Sequence, residues 1–355
     1  MMLTYNPKDF DVFIGIDVSK LTFSFTVMDH HNSQRSKTIP SNPENLIQYI
    51  KNQFKDKKVI CVYEAGPTGF GLYDALTAQN IPCLVVAPTT LSRKPNQKVK
   101  TDKMDSKKLA SDLKAGELSS IHVPQAHWRQ LRHLFKSYQQ YVTIRMAIKR
   151  RIKSLFLFAG LPLPDDSIKQ NWMKPHMEYI KNLDCHDPIL RQKLDLLLED
   201  HHLARQRCLL SLKQIHTFIQ QHPDIQKNIQ LVRSIDGIGS ITAITLLAKI
   251  GNPALLSNQR QLASFIGIVP SEHSSGLTNR RGSITHMGDG YLRSMLIESS
   301  WKAIKQNAIL KKFFDRIQNR HHRSFGKQKA IVAVARKLTL FIYAVLKNQR
   351  PFMAH

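Results

Sequence analysis

Four carboxylates stand where ligands of a hard metal ion could stand. Asp17 closes the apolar run VFIGID, and Glu64 closes VICVYE just before a Gly/Pro turn. Asp102 and Asp105 lie three residues apart in VKTDKMDSKKLA. On a helix that spacing puts both on one face, with Cβ atoms about 5–6 Å apart. Oxygen-only donors suit magnesium, with manganese as a substitute. Two such ions about 3.5–4 Å apart stabilise both the attacking and the leaving oxygen of a phosphoryl displacement. Each acid alone has an ordinary alternative: a turn-forming Asp, a helix-entry Glu, or partners for neighbouring lysines.

The surrounding charge says what such a site would act on. Between residues 93 and 108 those two aspartates face Arg93, Lys94, Lys98, Lys100, Lys103, Lys107 and Lys108. The whole chain has 355 residues, with 52 Lys plus Arg against 26 Asp plus Glu, a formal charge of +26. An excess of that size attracts polyanions, and nucleic acid is the first choice. An anionic membrane surface competes, but no apolar run approaches the ~18 residues of a membrane span. Residues 1–12 lack the layout of a signal peptide, so a cytoplasmic protein is expected. Cys61, Cys83, Cys185 and Cys208 form no C-x-x-C pair, which argues against a zinc site or a disulfide framework. The pairs His201-His202 and His321-His322 lack zinc-like spacing and read as polar surface.

The elements that must hold these residues fall into three stretches. Residues 11–124 read as α/β: two β-rich runs joined by a short turn, then helices alternating with the strands KKVICVYE and IPCLVVAP. The segment from Thr101 to Gly116 reads as a helix with a glycine cap, so a mixed sheet covered by helices is expected. Residues 125–228 read as a long antiparallel arm. Trp128, Leu131, Phe135, Tyr138, Val142, Ile152 and Phe156 form one seam, and Leu194, Leu197, Leu198, Leu209, Leu212, Ile215 and Ile219 the other. A proline-punctuated connector with short helical pieces joins them. Within RMAIKRRIK, Lys149, Arg150 and Arg151 are either nucleic-acid contacts or a solvated face. Residues 229–350 read as mostly helical.

Two motifs in that last stretch bear on nucleic acid. LVRSIDGIGSITAITLLAKI has the pattern of a helix-hairpin-helix, in which Gly237 and Gly239 let the backbone approach a phosphate at a helix N-terminus. A tight αα turn without a ligand is the alternative. From Pro270 to Gly290 the sequence is polar and reads as a loop with Arg280 and Arg281 as phosphate forks. A serine beside glycine in such a loop, as in SSG, can serve as a nucleophile once activated. The GIDVSK segment also resembles the first phosphate loop of actin-like ATPases, but further Gly-rich loops and an adenosine pocket are missing.

In order, GIDVSK, VYEAGPTG, KTDKMDSKKLA and DGIGSITA…FIGIVPSEHSSG…GSITHMGDGYLR resemble the DEDD transposases of bacterial insertion sequences. That family is numbered one hundred and ten and includes the pilin-gene invertases. The resemblance runs from Phe13 to about Leu346. It implies an RNase H-like (RuvC-like) N-terminal domain, a coiled-coil arm and a helical C-terminal transposase domain. It maps the four acidic ligands to Asp17, Glu64, Asp102 and Asp105, and the nucleophilic serine to Ser275, with Ser274 as the alternative. It further implies a magnesium-dependent recombinase of donor and target DNA, a structured bridge RNA, and dimers that pair into tetramers. Two other readings stay open: a Holliday-junction-type nuclease using water, and a non-catalytic nucleic-acid scaffold.

Overall fold

The computed structural model describes residues 5–31, 33–88, 102–162, 172–185, 187–275, 278–285, 287–320 and 325–353, with 273–275 and 278–281 described by backbone alone. Lys100, Gly276 and the His321-His322 pair lie outside the described residues. The chain divides into two compact units, Met1–Val123 and Pro124–His355.

The first unit is built on β1 (Val12–Val18), β2 (Thr22–Asp29), β3 (Gln34–Pro40), β4 (Val59–Glu64) and β5 (Cys83–Val86). Their order in the sheet is β3-β2-β1-β4-β5. β1, β2 and β3 are antiparallel neighbours, whereas β4 and β5 run parallel to β1. Helices α1 (Pro43–Gln53) and α2 (Gly71–Ala78) cover one face and α3 (Asp102–Ala115) the other. Covering both faces explains why the central strands are almost continuously apolar. Val12, Ile14, Ile16, Cys61 and Tyr63 face Leu46, Ile50, Leu72 and Leu76. Phe13, Ile60, Val62 and Leu84 face Leu109 and Leu113. The mixed α/β architecture expected for residues 11–124 is the one found, and it is consistent with an RNase H-like domain.

Strand β3 is an addition to that expectation. QRSKTIP is nearly all exposed, so it carries no apolar alternation to reveal it. It joins the sheet through its ladder to β2 and through hydroxyl pairs, Ser24 with Thr38 at 3.0 Å and Thr26 with Ser36 at 2.9 Å. At the other edge, Ser120 bridges to Val86 and the Ile121 N–H donates to the Val85 carbonyl at 2.7 Å.

In the second unit, α4 (Ala126–Phe158) and α6 (Pro188–Gln220) are each 33 residues long and lie antiparallel. Trp128, Leu131 and Phe135 at the start of α4 share a core with Ile215 and Ile219 at the end of α6. Ile148, Ile152 and Phe156 meet Leu194, Leu198 and Ala204 at the other end, where α5 (Lys174–Asn182) adds Ile180. The remaining elements are α7 (Pro223–Arg233), α8 (Ser240–Ile250), α9 (Gln259–Ile266), β6 (Pro270–Ser275), β7 (Thr278–Ile284), α10 (Gly290–Gln306), α11 (Ala308–Arg320) and α12 (Gly326–Asn348). Their core is continuous with the base of the arm. There Arg132 donates to the carbonyls of Ala248 at 3.1 Å and Lys249 at 2.9 Å, satisfying the last turn of α8.

Three sequence expectations are corrected here. The polar stretch after Pro270 is an antiparallel hairpin, β6 on β7, and not a loop. His201 is buried, at 4% exposure, because it continues the seam Leu194, Leu198, His201, Ala204, Cys208. Leu209 lies off that seam and is 57% exposed. Among the described residues, no helix is long and apolar enough to cross a membrane.

Candidate active site

The sheet register brings Asp17 and Glu64 side by side. β1 and β4 are parallel and pair up to Ile16 with Tyr63, so Asp17 and Glu64 are the next step on neighbouring strands. Strand side chains alternate between faces. Ile16 and Tyr63 belong to the α1/α2 face, so the two acids fall on the face that α3 covers. Both are half-buried at the C-terminal end of the sheet.

Helix α3 supplies the other pair. Ser106 lies over Thr26, their hydroxyls 2.9 Å apart, while Lys114 reaches the His30 carbonyl at 3.2 Å beyond the far end of β2. The helix therefore runs against β1, and its first turn, with Asp102 and Asp105, points towards the end of β1 that carries Asp17.

A residue that sequence reasoning misses makes this seating possible. A Cβ placed on Gly15 would stand 2.2 Å from the Ser106 carbonyl oxygen and 2.3 Å from the Ala110 nitrogen. Those are backbone atoms and cannot swing aside, so the helix rests directly on β1 only because residue 15 is glycine. Ser106 and Ala110 are the matching small residues of α3, both fully buried. Small residues recurring at i and i+4 opposite a strand glycine are the signal that could have announced this close approach.

Four oxygen-bearing side chains towards one end of the sheet suit a hard divalent cation in kind. Among the described residues, no group of three acidic, histidine or cysteine side chains is drawn close enough together to hold an ion. Lys103 and Lys107 are exposed on the same helix, where they can meet a polyanion.

The second unit holds the other expected site residues. Gly237 sits in the turn between α7 and α8 with φ of +86°, where a side chain would be strained. Its added Cβ would collide with α10, 2.6 Å from the Ser299 carbonyl oxygen, and its N–H donates to Gln306 Oε1 at 2.9 Å. Gly237 thus serves packing against α10, with its amide already engaged. Gly239 is different: nothing lies within 4 Å of an added Cβ, and α8 begins there without a side-chain cap. Ser274 and Ser275 end β6, paired with Asn279 and Thr278, so Ser275 stands at the tip of the hairpin. Arg280 lies opposite His273, and Arg281 opposite Glu272. At the base, the Thr285 N–H donates to Val269 at 2.9 Å and Arg293 to the Ile266 carbonyl at 3.1 Å. On the arm, Arg150 and Arg151 are exposed, whereas Lys149 is half-buried with its ammonium 5.0 Å from the centre of the Trp172 ring.

Residues 14–159 match a transposase family of the DEDD IS110 type, and residues 229–315 match the Transposase IS116/IS110/IS902 family. The chain is similar to the y4qE transposase of Sinorhizobium fredii, 26% identical over 96% of this chain and 90% of that protein. It is also similar to the transposase for insertion sequence element IS1533 of Leptospira borgpetersenii, 23% identical over 96% of this chain and 97% of that protein. The pilin gene-inverting protein of Moraxella bovis is 31% identical over 39% of this chain and 43% of its own.

Proposed function

We propose that this chain, whose residues 14–159 and 229–315 match transposase families of the IS110 and IS116/IS110/IS902 type, cuts and rejoins the DNA strands of an insertion sequence through a four-acid site and a serine. What supports this reading is that Asp17 and Glu64 end neighbouring parallel strands and that the first turn of α3, with Asp102 and Asp105, points towards the same end of the sheet. Those four residues would hold magnesium, or manganese in its place. A bound divalent ion supplies charge neutralisation at the scissile phosphate and lowers the proton affinity of an attacking oxygen.

The protein's own residues supply the rest. Lys100, Lys103 and Lys107 draw the phosphate backbone towards the acids. Arg280 and Arg281 offer planar forks to phosphate oxygens beside the serines. Ser275, with Ser274 as the alternative, attacks the phosphorus, so one phosphodiester is replaced by a serine ester and the displaced strand leaves with a free hydroxyl. The ester conserves the bond energy, and attack by another strand's hydroxyl returns the serine. Water in place of serine would release the strand, which is the nuclease reading. The donor and target DNAs would be paired by a structured bridge RNA, and the protein would work as dimers assembled into a tetramer.

The deciding experiment traps a reaction on element-end DNA with denaturant in magnesium. DNA attached at Ser275 is the expected product. Full cleavage by the Ser274→Ala/Ser275→Ala double variant would overturn the serine step and leave the nuclease. Sequencing RNA that copurifies with the protein tests the bridge RNA. Mixing inactive Asp17→Ala and Ser275→Ala proteins tests whether the acids and the serine meet between protomers; recovered activity is the expected sign that they do.

A further inference from the structure

The far end of the arm contains a cavity of about 920 Å³ between α5 and α6, lined among others by Trp172, Met177, Leu198, His201 and Arg205. Its size lies within the range of small-ligand pockets, ~300–1,000 Å³. Trp172 stands between two imidazoles, with ring centres 5.2 Å from His176 and 5.3 Å from His201. Both histidines are buried, at 6% and 4% exposure. Nδ1 of His176 and Nε2 of His201 have no hydrogen-bond partner. Buried polar atoms of folded proteins almost always have one, and an orphan asks for a missing partner. Trp172 itself has φ of +70°, a costly conformation for a bulky side chain and one that tends to mark functional positions.

We propose that this cavity is a pocket for one unpaired nucleobase of a single-stranded or looped nucleic acid, stacked on Trp172 and hydrogen-bonded by the imidazole of His201. The proposal rests on the reading of the arm as a nucleic-acid contact through Arg150 and Arg151. Three features favour a base over a phosphate. Burial, followed by the nearby charges of Lys149, Arg145 and Arg205, pushes His201 down to about 4, so its ring is neutral at physiological pH. A neutral imidazole offers one donor and one acceptor, which matches the edge of a heterocycle. Of the carboxylates that line the cavity, Asp195 is paired with Arg191 and Glu178 with Lys174, while Glu199 can accept from the amino group of a base. Arg205 and Lys181 at the walls provide cations for the backbone that leads to the base.

The test uses the full chain at fixed salt and short single strands carrying one 2-aminopurine, in DNA and RNA versions, each with an abasic twin. The expected result is a fluorescence change on binding and an affinity about tenfold above the abasic twin. Trp172→Ala should erase that difference. Should this variant not fold, His201→Leu gives the same comparison, with a smaller base preference expected. A response in the DNA or RNA arm supports the pocket and identifies the sugar it accepts. Equal affinities for base and abasic strands in both arms would overturn it. The underlying arm reading is separated by Arg150→Ala/Arg151→Ala: if that variant binds abasic strands as the parent does, the arm reading fails on its own.

Discussion

Helix α3 rests on its sheet through glycine, serine and alanine, whereas α4 and α6 meet through long side chains with a polar gap between two cores. In the first case backbone touches backbone at Gly15, Ser106 and Ala110, and the buried Thr26–Ser106 hydroxyl pair fixes the height. In the second, the buried apolar residues stop at Phe135 and Ile215 and resume at Ile148 and Ala204. Between them lie Arg145, whose buried Nε has no partner, and the small residues Cys208 and Ser211. The difference suits what each seam is proposed to position. Carboxylates that share an ion must be placed within fractions of an ångström, and short, stiff contacts do that. A surface that follows a nucleic-acid backbone gains from slack, since phosphate contacts are electrostatic and tolerant in geometry.

The hardest blow to the first seam is Gly15→Val. With no room even for a Cβ, the variant should lose about 3 kcal/mol or more of stability and all cleavage, measured by urea unfolding and strand-cleavage assay. Gly239→Ala is the matched control and should be close to neutral in stability. A stable Gly15→Val protein would mean that α3 has another way to seat.

Next in size are Asp102→Asn and Asp105→Asn, which should abolish cleavage while leaving the fold and DNA affinity intact. Losing a carboxylate would remove a ligand of the proposed metal site but makes the surface more positive. Equal losses of binding and cleavage would make the pair structural.

The arm should respond to acid. Unfolded histidine takes up its proton near pH 6.5, but His201 only at about 4, and His176 is shifted down as well, chiefly by burial. Between those values the unfolded chain binds more protons, so stability falls as pH drops from about 6.5 to 4. His201→Leu should flatten that decline when melting is followed by tryptophan fluorescence. An unchanged pH profile would remove the histidines from the arm's energetics.

The smallest effect is expected at the arm surface. Arg150→Ala/Arg151→Ala should shallow the salt dependence of duplex binding by about 0.9 for each phosphate that is no longer neutralised. Lys149, held over Trp172, should contribute less than either arginine. An unmoved slope would leave this face to solvent.

How much of this was readable in the sequence depends on what kind of contact was involved. Apolar runs announced β1, β2, β4 and β5, and the 3–4 seam announced α4 and α6, because burial writes itself into hydrophobic period. The candidate acids stand out because they end such runs, at Asp17 and Glu64, or share a helix turn, at Asp102 and Asp105; only their positions on β1, β4 and α3 are found as expected. β3 and the β6–β7 hairpin were not legible, since QRSKTIP and PSEHSS are held by backbone ladders and hydroxyls that any polar segment could supply. His201 was missed for the opposite reason: it occupies an apolar position while its neighbour His202 made the pair look like surface. Gly15 was in view inside GIDVSK, yet a glycine's meaning lies in what approaches it, and only the placement of α3 supplies that.

The two borders of the sheet carry a consequence for crowding. One border is closed by the pairing of Ser120 and Ile121 with β5, and the other is β3, whose exposed residues include Arg35 and Lys37 and which ends in Pro40. An open strand border is a template on which further strands polymerise; charge and proline spoil that template. Copies concentrated along one DNA molecule can therefore touch through other surfaces without their sheets fusing into an aggregate.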